Sequence, residues 1–76
     1  MTLDQAREGQ VVVVKDLLGG FGFRRRLLSL GIYPGERLRV VKSGFFGGPI
    51  LVEVRGTEVA IGRGAASRVV VEPAEK

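Results

Sequence analysis

The stretch Ile50-Leu51-Val52-Glu53-Val54-Arg55-Gly56-Thr57-Glu58-Val59-Ala60-Ile61 reads as one β-hairpin. Ile50, Val52 and Val54 alternate with Glu53, the period-two pattern of a half-buried strand. Arg55-Gly56 is a two-residue turn, and folding back on it sets Val54 opposite Thr57, Val52 opposite Val59 and Ile50 opposite Ile61. One face of the hairpin is then expected to be consistently core. The same register puts Glu53 opposite Glu58, a like-charge pair costing roughly a few tenths of a kcal/mol unless Arg37 or Arg39 stands beside it.

Upstream, Leu38 and Val40 alternate with Arg37 and Arg39 in Arg37-Leu38-Arg39-Val40-Val41, a strand with one wet, basic face. A glycine-rich loop, Ser43 to Pro49, joins it to the hairpin, and Pro34-Gly35 is the turn before it. Gly9 opens Val11-Val12-Val13-Val14, apolar on both sides and expected to be buried on both or to close a barrel. Downstream, Gly62 to Ser67 reads as a connecting turn and Val69-Val70-Val71 as a last strand. Between Gly22 and Gly31, Phe23, Leu27 and Leu30 recur at helical spacing, predicting two turns of helix that dock this stripe on the sheet. Gly31 suits the left-handed residue that ends the helix, and Pro34 stops its resumption. Five short strands and one short helix predict a mainly β fold, a small, partly open SH3-like barrel.

A chain of 76 residues has room for one small domain, expected to span 1–76, and none for a dinucleotide-binding or two-domain enzyme. Cysteine and histidine are both absent, which removes disulfides, zinc knuckles, thiolate nucleophiles and histidine bases. Gly20-Phe21-Gly22 begins a phosphate-loop pattern, but Arg25 stands where its third glycine belongs, and no Gly-Lys-Ser/Thr follows anywhere. Among the carboxylates only Glu53 and Glu58 converge, on an outer face, and Ser29, Ser43 and Ser67 have no partner base. No catalytic residue and no metal ligand set emerges, and a non-enzymatic protein is expected. No apolar run approaches the roughly 20 residues of a membrane span, and Met1-Thr2-Leu3-Asp4 is no secretory signal. A cytoplasmic protein without membrane insertion is expected, peripheral at the inner membrane only through a partner.

The net charge of +4 is concentrated. Arg24, Arg25, Arg26, Arg37, Arg39 and Lys42 face only Glu36 between residues 24 and 42, an excess of +5, while 1–23 sum to −1 and 43–76 to zero. Such a segment suits an acidic protein surface, a phosphate backbone or an anionic membrane face. Phe45-Phe46, set among Gly44, Gly47 and Gly48, either presents one ring as an apolar anchor for a partner or lies flat as a lid on the small core. Arg24, Arg25, Arg26, Phe45 and Phe46 are therefore the expected partner-binding residues. A small basic barrel also suits nucleic acid, although these aromatics lie outside the basic segment, and none is expected here.

From Arg24 to Gly35 the chain runs Arg24-Arg25-Arg26-Leu27-Leu28-Ser29-Leu30-Gly31-Ile32-Tyr33-Pro34-Gly35. This resembles the FeoA family, whose short arginine-bearing helix ends in Leu-x-x-Leu-Gly, an apolar residue, x, Pro-Gly. Glu8-Gly9-Gln10, Gly48-Pro49-Ile50, Arg55-Gly56, Val59-Ala60-Ile61 and Ala65-Ala66 extend the likeness over nearly the whole chain. On it Leu30, Gly31, Pro34, Gly35, Pro49 and Gly56 are structural motif and turn positions. Many members carry Asp-Pro where Gly48-Pro49 stands here. The resemblance implies an SH3-like barrel and an accessory role in bacterial ferrous iron uptake, through contact with the cytoplasmic GTP-binding part of the FeoB transporter. No cofactor is expected from the residues present, and weak Fe(II) association only on the resemblance; self-association and a metal site shared between copies stay open. A metal-sensing domain is the remaining reading, disfavoured by the missing histidine and cysteine.

Overall fold

The structure is a computed structural model and describes residues 1–44 and 47–74. A 3₁₀ turn (Leu3–Gln5) precedes β1 (Val11–Leu17), α1 (Phe21–Ser29), β2 (Arg37–Ser43), β3 (Ile50–Val54), β4 (Thr57–Ile61), α2 (Arg63–Ala66) and β5 (Val69–Pro73). The strands form one antiparallel sheet in the order β4-β3-β2-β1-β5. Register shifts beside Lys15 in β1 and Val41 in β2 bend those strands and curl the sheet into an open barrel. Thr2 bridges to Val70, so the amino-terminal segment covers part of the free edge of β5.

The hairpin has the expected register, pair for pair. Arg55 (φ 52°) and Gly56 (φ 81°) are both left-handed, as a two-residue turn matched to strand twist requires. Arginine is an unusual occupant of that conformation. Its side chain reaches across the barrel mouth, with Nε donating to Glu36 Oε2 at 2.6 Å and Nη2 to the Tyr33 hydroxyl at 3.0 Å. The hairpin tip is thereby tied to the Tyr33–Glu36 turn, where Gly35 (φ 96°) follows Pro34 and donates to Val14 O.

The core is wholly apolar among the described residues, with Val12, Val14, Leu38, Val40, Val52 and Val71 at zero exposure from four of the strands. Only one face of β1 is buried. Val11 is 36% exposed and Val13 half-buried, so of the two expected arrangements β1 takes the second, a barrel strand, and is not covered on both sides. The curled sheet encloses a single interior, and no second layer packs on its outside at Val11. The predicted turn from Gly62 to Ser67 contains one helical turn, α2, whose Ala66 is fully buried. Arg63 at its start closes the adjacent loop: Nη2 donates to Ser43 Oγ at 3.2 Å and to Gly44 O at 3.0 Å. Gly44 N donates to Pro49 O, and a β-carbon on Gly44 would lie 2.6 Å from that oxygen, so this loop has a neck only glycine fits.

A candidate docking surface on the arginine helix

Helix α1 begins two residues earlier than its sequence pattern suggests, at Phe21, and ends at Ser29. Leu27 is its buried residue (2% exposed), and half-buried Phe23 packs beside it on the core. The Arg68 guanidinium sits 5.4 Å from the Phe23 ring centroid. Leu30 does not join this stripe, contrary to expectation; it is 37% exposed. The cause is the helix ending. Gly31 turns left-handed (φ 87°), Gly31 N donates to Leu28 O, and Ile32 N donates to Leu27 O at 2.9 Å. This is a Schellman ending, in which the residue after the glycine folds back onto Leu27. Ile32, at zero exposure, takes the core place that periodicity assigns to Leu30.

With Phe23 and Leu27 turned inward, the opposite face of α1 points to solvent. Arg24, Arg25 and Arg26 are all exposed, and none forms an ion pair among the described residues. Of the cations in the basic segment, only Arg39 forms an ion pair among the described residues, and the segment's one acid, Glu36, is engaged by an arginine from outside it. Arg39 Nη2 lies 2.6 Å from Glu53 Oε1, which places one of the two anticipated arginines beside the Glu53–Glu58 pair. Glu36 pairs with Arg55; the guanidinium hydrogen bond holds the Glu36 carboxyl below its ordinary range and raises Arg55. The free excess is thus focused on α1, with Arg37 and Lys42 exposed on β2.

Sequence pattern passes over two further residues here. Phe21 is 77% exposed and Leu28 56%, and with Arg24 and Arg25 they line a shallow groove of about 390 Å³. The Arg25 guanidinium lies 5.9 Å from the Phe21 ring centroid. Phe21 hides in a glycine-flanked break, Gly20-Phe21-Gly22, and its seven-residue spacing to Leu28 is the signal that reveals it. A second hollow, about 520 Å³ beside Gln5, Arg7, Glu8 and Gln10, has much of its polar equipment engaged. There Gln10 Oε1 accepts from Arg7 N and Glu8 Oε2 accepts from Ser43 N.

Phe45 and Phe46 lie outside the described residues. The neck of their loop sits at the Ile50 end of β3, whereas Gly31, which ends α1, lies beside Val54 at the other end, where a β-carbon on it would come 3.8 Å from Val54 Cγ1. The length of β3, about 13 Å, separates these two points. Among the described residues no three acidic side chains converge as a metal site, and no helix is long and apolar enough to cross a membrane.

Residues 1–73 match the FeoA domain family. A Methanocaldococcus jannaschii protein provisionally named Fe(2+) transport protein A is 41% identical over 92% of this chain and 83% of its own length. The crystal structure of an iron uptake regulatory protein, FeoA, superimposes with a TM-score of 0.89 at 36% identity, covering 97% of this chain and 96% of that one. Stenotrophomonas maltophilia FeoA, solved with zinc and described as a procaryotic SH3 domain protein, has a TM-score of 0.81 at 36% identity over 95% of this chain and 89% of that one. The five-stranded barrel is accordingly SH3-like, and the chain belongs to the FeoA family.

Proposed function

We propose that this chain is a non-enzymatic accessory protein of ferrous iron uptake, acting in the cytoplasm by contact with the GTP-binding part of an FeoB-type transporter. The observation that carries the reading is the outer face of α1, where Arg24, Arg25 and Arg26 stand exposed and unpaired among the described residues, beside uncovered Phe21 and Leu28. Arginine and aromatic side chains are the residue types that anchor protein interfaces. Family membership and the M. jannaschii relative's name supply the iron-transport context. Iron is the transporter's cargo on this reading, with no resident site in the accessory protein.

The test is binding of this protein to the isolated GTP-binding domain of its cognate ferrous transporter in different nucleotide states, together with rescue of iron uptake in cells lacking the accessory protein. Saturable binding and rescue, both weakened by R24E/R25E, are expected. Absence of binding in every nucleotide state, or preferential binding of single-stranded RNA, overturns the reading.

A further inference from the structure

The α1 surface also specifies what kind of protein segment fits it, an inference that rests on the contact role just proposed. At about 100° per residue, Leu28 falls about 20° from Phe21 around the helix axis, so the two form one apolar line two turns and about 10 Å long. Arg24 lies about 60° to one side of Phe21 and Arg25 about 40° to the other. Both arginines sit in the turn between the apolar residues, and the groove is lined by these four side chains. Lys15, Asp16 and Glu36 are the nearest charges in sequence to the 17–35 segment, which carries no carboxylate of its own. The strip is thus apolar at both ends and cationic on both flanks of its middle.

We propose that this strip docks an acidic amphipathic helix of a protein partner, one with large apolar residues seven positions apart and carboxylates three and four positions after the first. Helices meet along such lines, with i and i+7 side chains as anchors. Each arginine fork then finds a carboxylate beside the apolar seam. A lipid surface fits less well. The apolar line is one side chain wide and bounded by cations on both sides, whereas an interfacial helix buries a stripe about 100° across or more. A bare phosphate backbone would leave Phe21 and Leu28 without cover.

The test titrates the isotope-labelled protein with a designed helical peptide of about 18 residues bearing leucines at i and i+7 and glutamates at i+3 and i+4, and with a control whose glutamates are lysines. Amide shifts confined to Phe21, Arg24, Arg25, Leu28 and their neighbours are expected, with at least tenfold preference for the acidic peptide that shrinks as salt rises. R24E/R25E should reverse the preference, and Phe21→Ala should weaken the acidic peptide about tenfold or more. R24Q/R25Q, which should abolish the preference, replaces the reversal should that variant melt early. No shifts at millimolar peptide, equal binding of both peptides, or shifts elsewhere overturn the proposal, as does capture by phosphatidylglycerol vesicles with the acidic peptide silent. The transporter's GTP-binding domain separates this from the broader function. If it binds the parent and F21A/R24Q/R25Q alike, the strip is wrong and the function stands; if only the acidic peptide binds, the strip stands and the function falls.

Discussion

Truncating Leu27 to alanine should release α1 from the barrel before the barrel itself unfolds. Leu27 is the buried side chain of a nine-residue helix, assisted by half-buried Phe23 and by Ile32 just beyond the helix end. A helix this short has no independent stability in water, so its persistence depends on that packing. Losing a buried leucine costs about 2–5 kcal/mol. The lower half of that range applies, because α1 lies at the surface and undocking lets water reach the site in place of an empty cavity. Total stability for 76 residues is about 4–11 kcal/mol, so a loss of about 2–3 kcal/mol is severe without being lethal. Near the melting point it corresponds to a drop of roughly 10–20 °C. Chemical denaturation gives the loss, and native-state hydrogen exchange shows where it falls. Amides of Arg24 to Ser29 should lose most of their protection, while Val40 and Val52 keep theirs up to the reduced global limit. A loss below about 1 kcal/mol with α1 still protected would show that the helix is held by something other than its inward face.

Further expectations follow from the same structure. Gly44→Ala forces a β-carbon to within 2.6 Å of Pro49 O, and the neck must shift; thermal melting should fall by roughly 5–15 °C, with no fall if the neck is slack. Glu58→Thr removes the like charge opposite Glu53 and should raise the melting temperature by roughly 1–5 °C, an unchanged or lower value showing that Arg39 already cancels the repulsion. Because Arg55 holds the folded-state Glu36 carboxyl below its ordinary value of 4.5, that contribution is fully present above about pH 4.5 and disappears as pH falls through the lower folded value. Urea midpoints of parent and E36Q should therefore differ near neutrality and converge in acid; a gap that persists at pH 2.5 would trace to packing instead. Charge reversal at Arg24 and Arg25 should slow association with the partner and flatten its salt dependence, measurable by surface binding kinetics at several salt concentrations.

Much of the barrel is legible in the chain because its strands have one wet face. Alternation marks them, and the left-handed Arg55-Gly56 pair sets the hairpin register to the residue. Where the expectation fails, short-range geometry overrides periodicity. Leu30 has the right spacing for the core, yet the Schellman ending reverses the chain at Gly31 and delivers Ile32 instead. Four residues of α2 are too few for any helical period to show, and Gly62 and Gly64 make them look like a turn. The docking face is half legible. Three consecutive arginines announce themselves, but Phe21 is masked by its flanking glycines, and its pairing with Leu28 appears only once the helix start is known.

The place of β1 in the sheet has a consequence for how the protein is made. β1 lies between β2 and β5, and the Val14–Val71 and Leu17–Val69 pairs join residues more than fifty positions apart. As the chain leaves the ribosome, β2, β3 and β4 can assemble on β1 in order, yet one side of the Val11–Val14 run stays without a partner until β5 emerges. Such long-range pairing is slow, and a nascent valine-rich edge is a template for the same edge on another chain. Chaperone demand and losses to aggregation should accordingly concentrate in the interval before Val69–Pro73 is released, and a free chain ending before Val69 should be far stickier than one that includes Val69–Pro73.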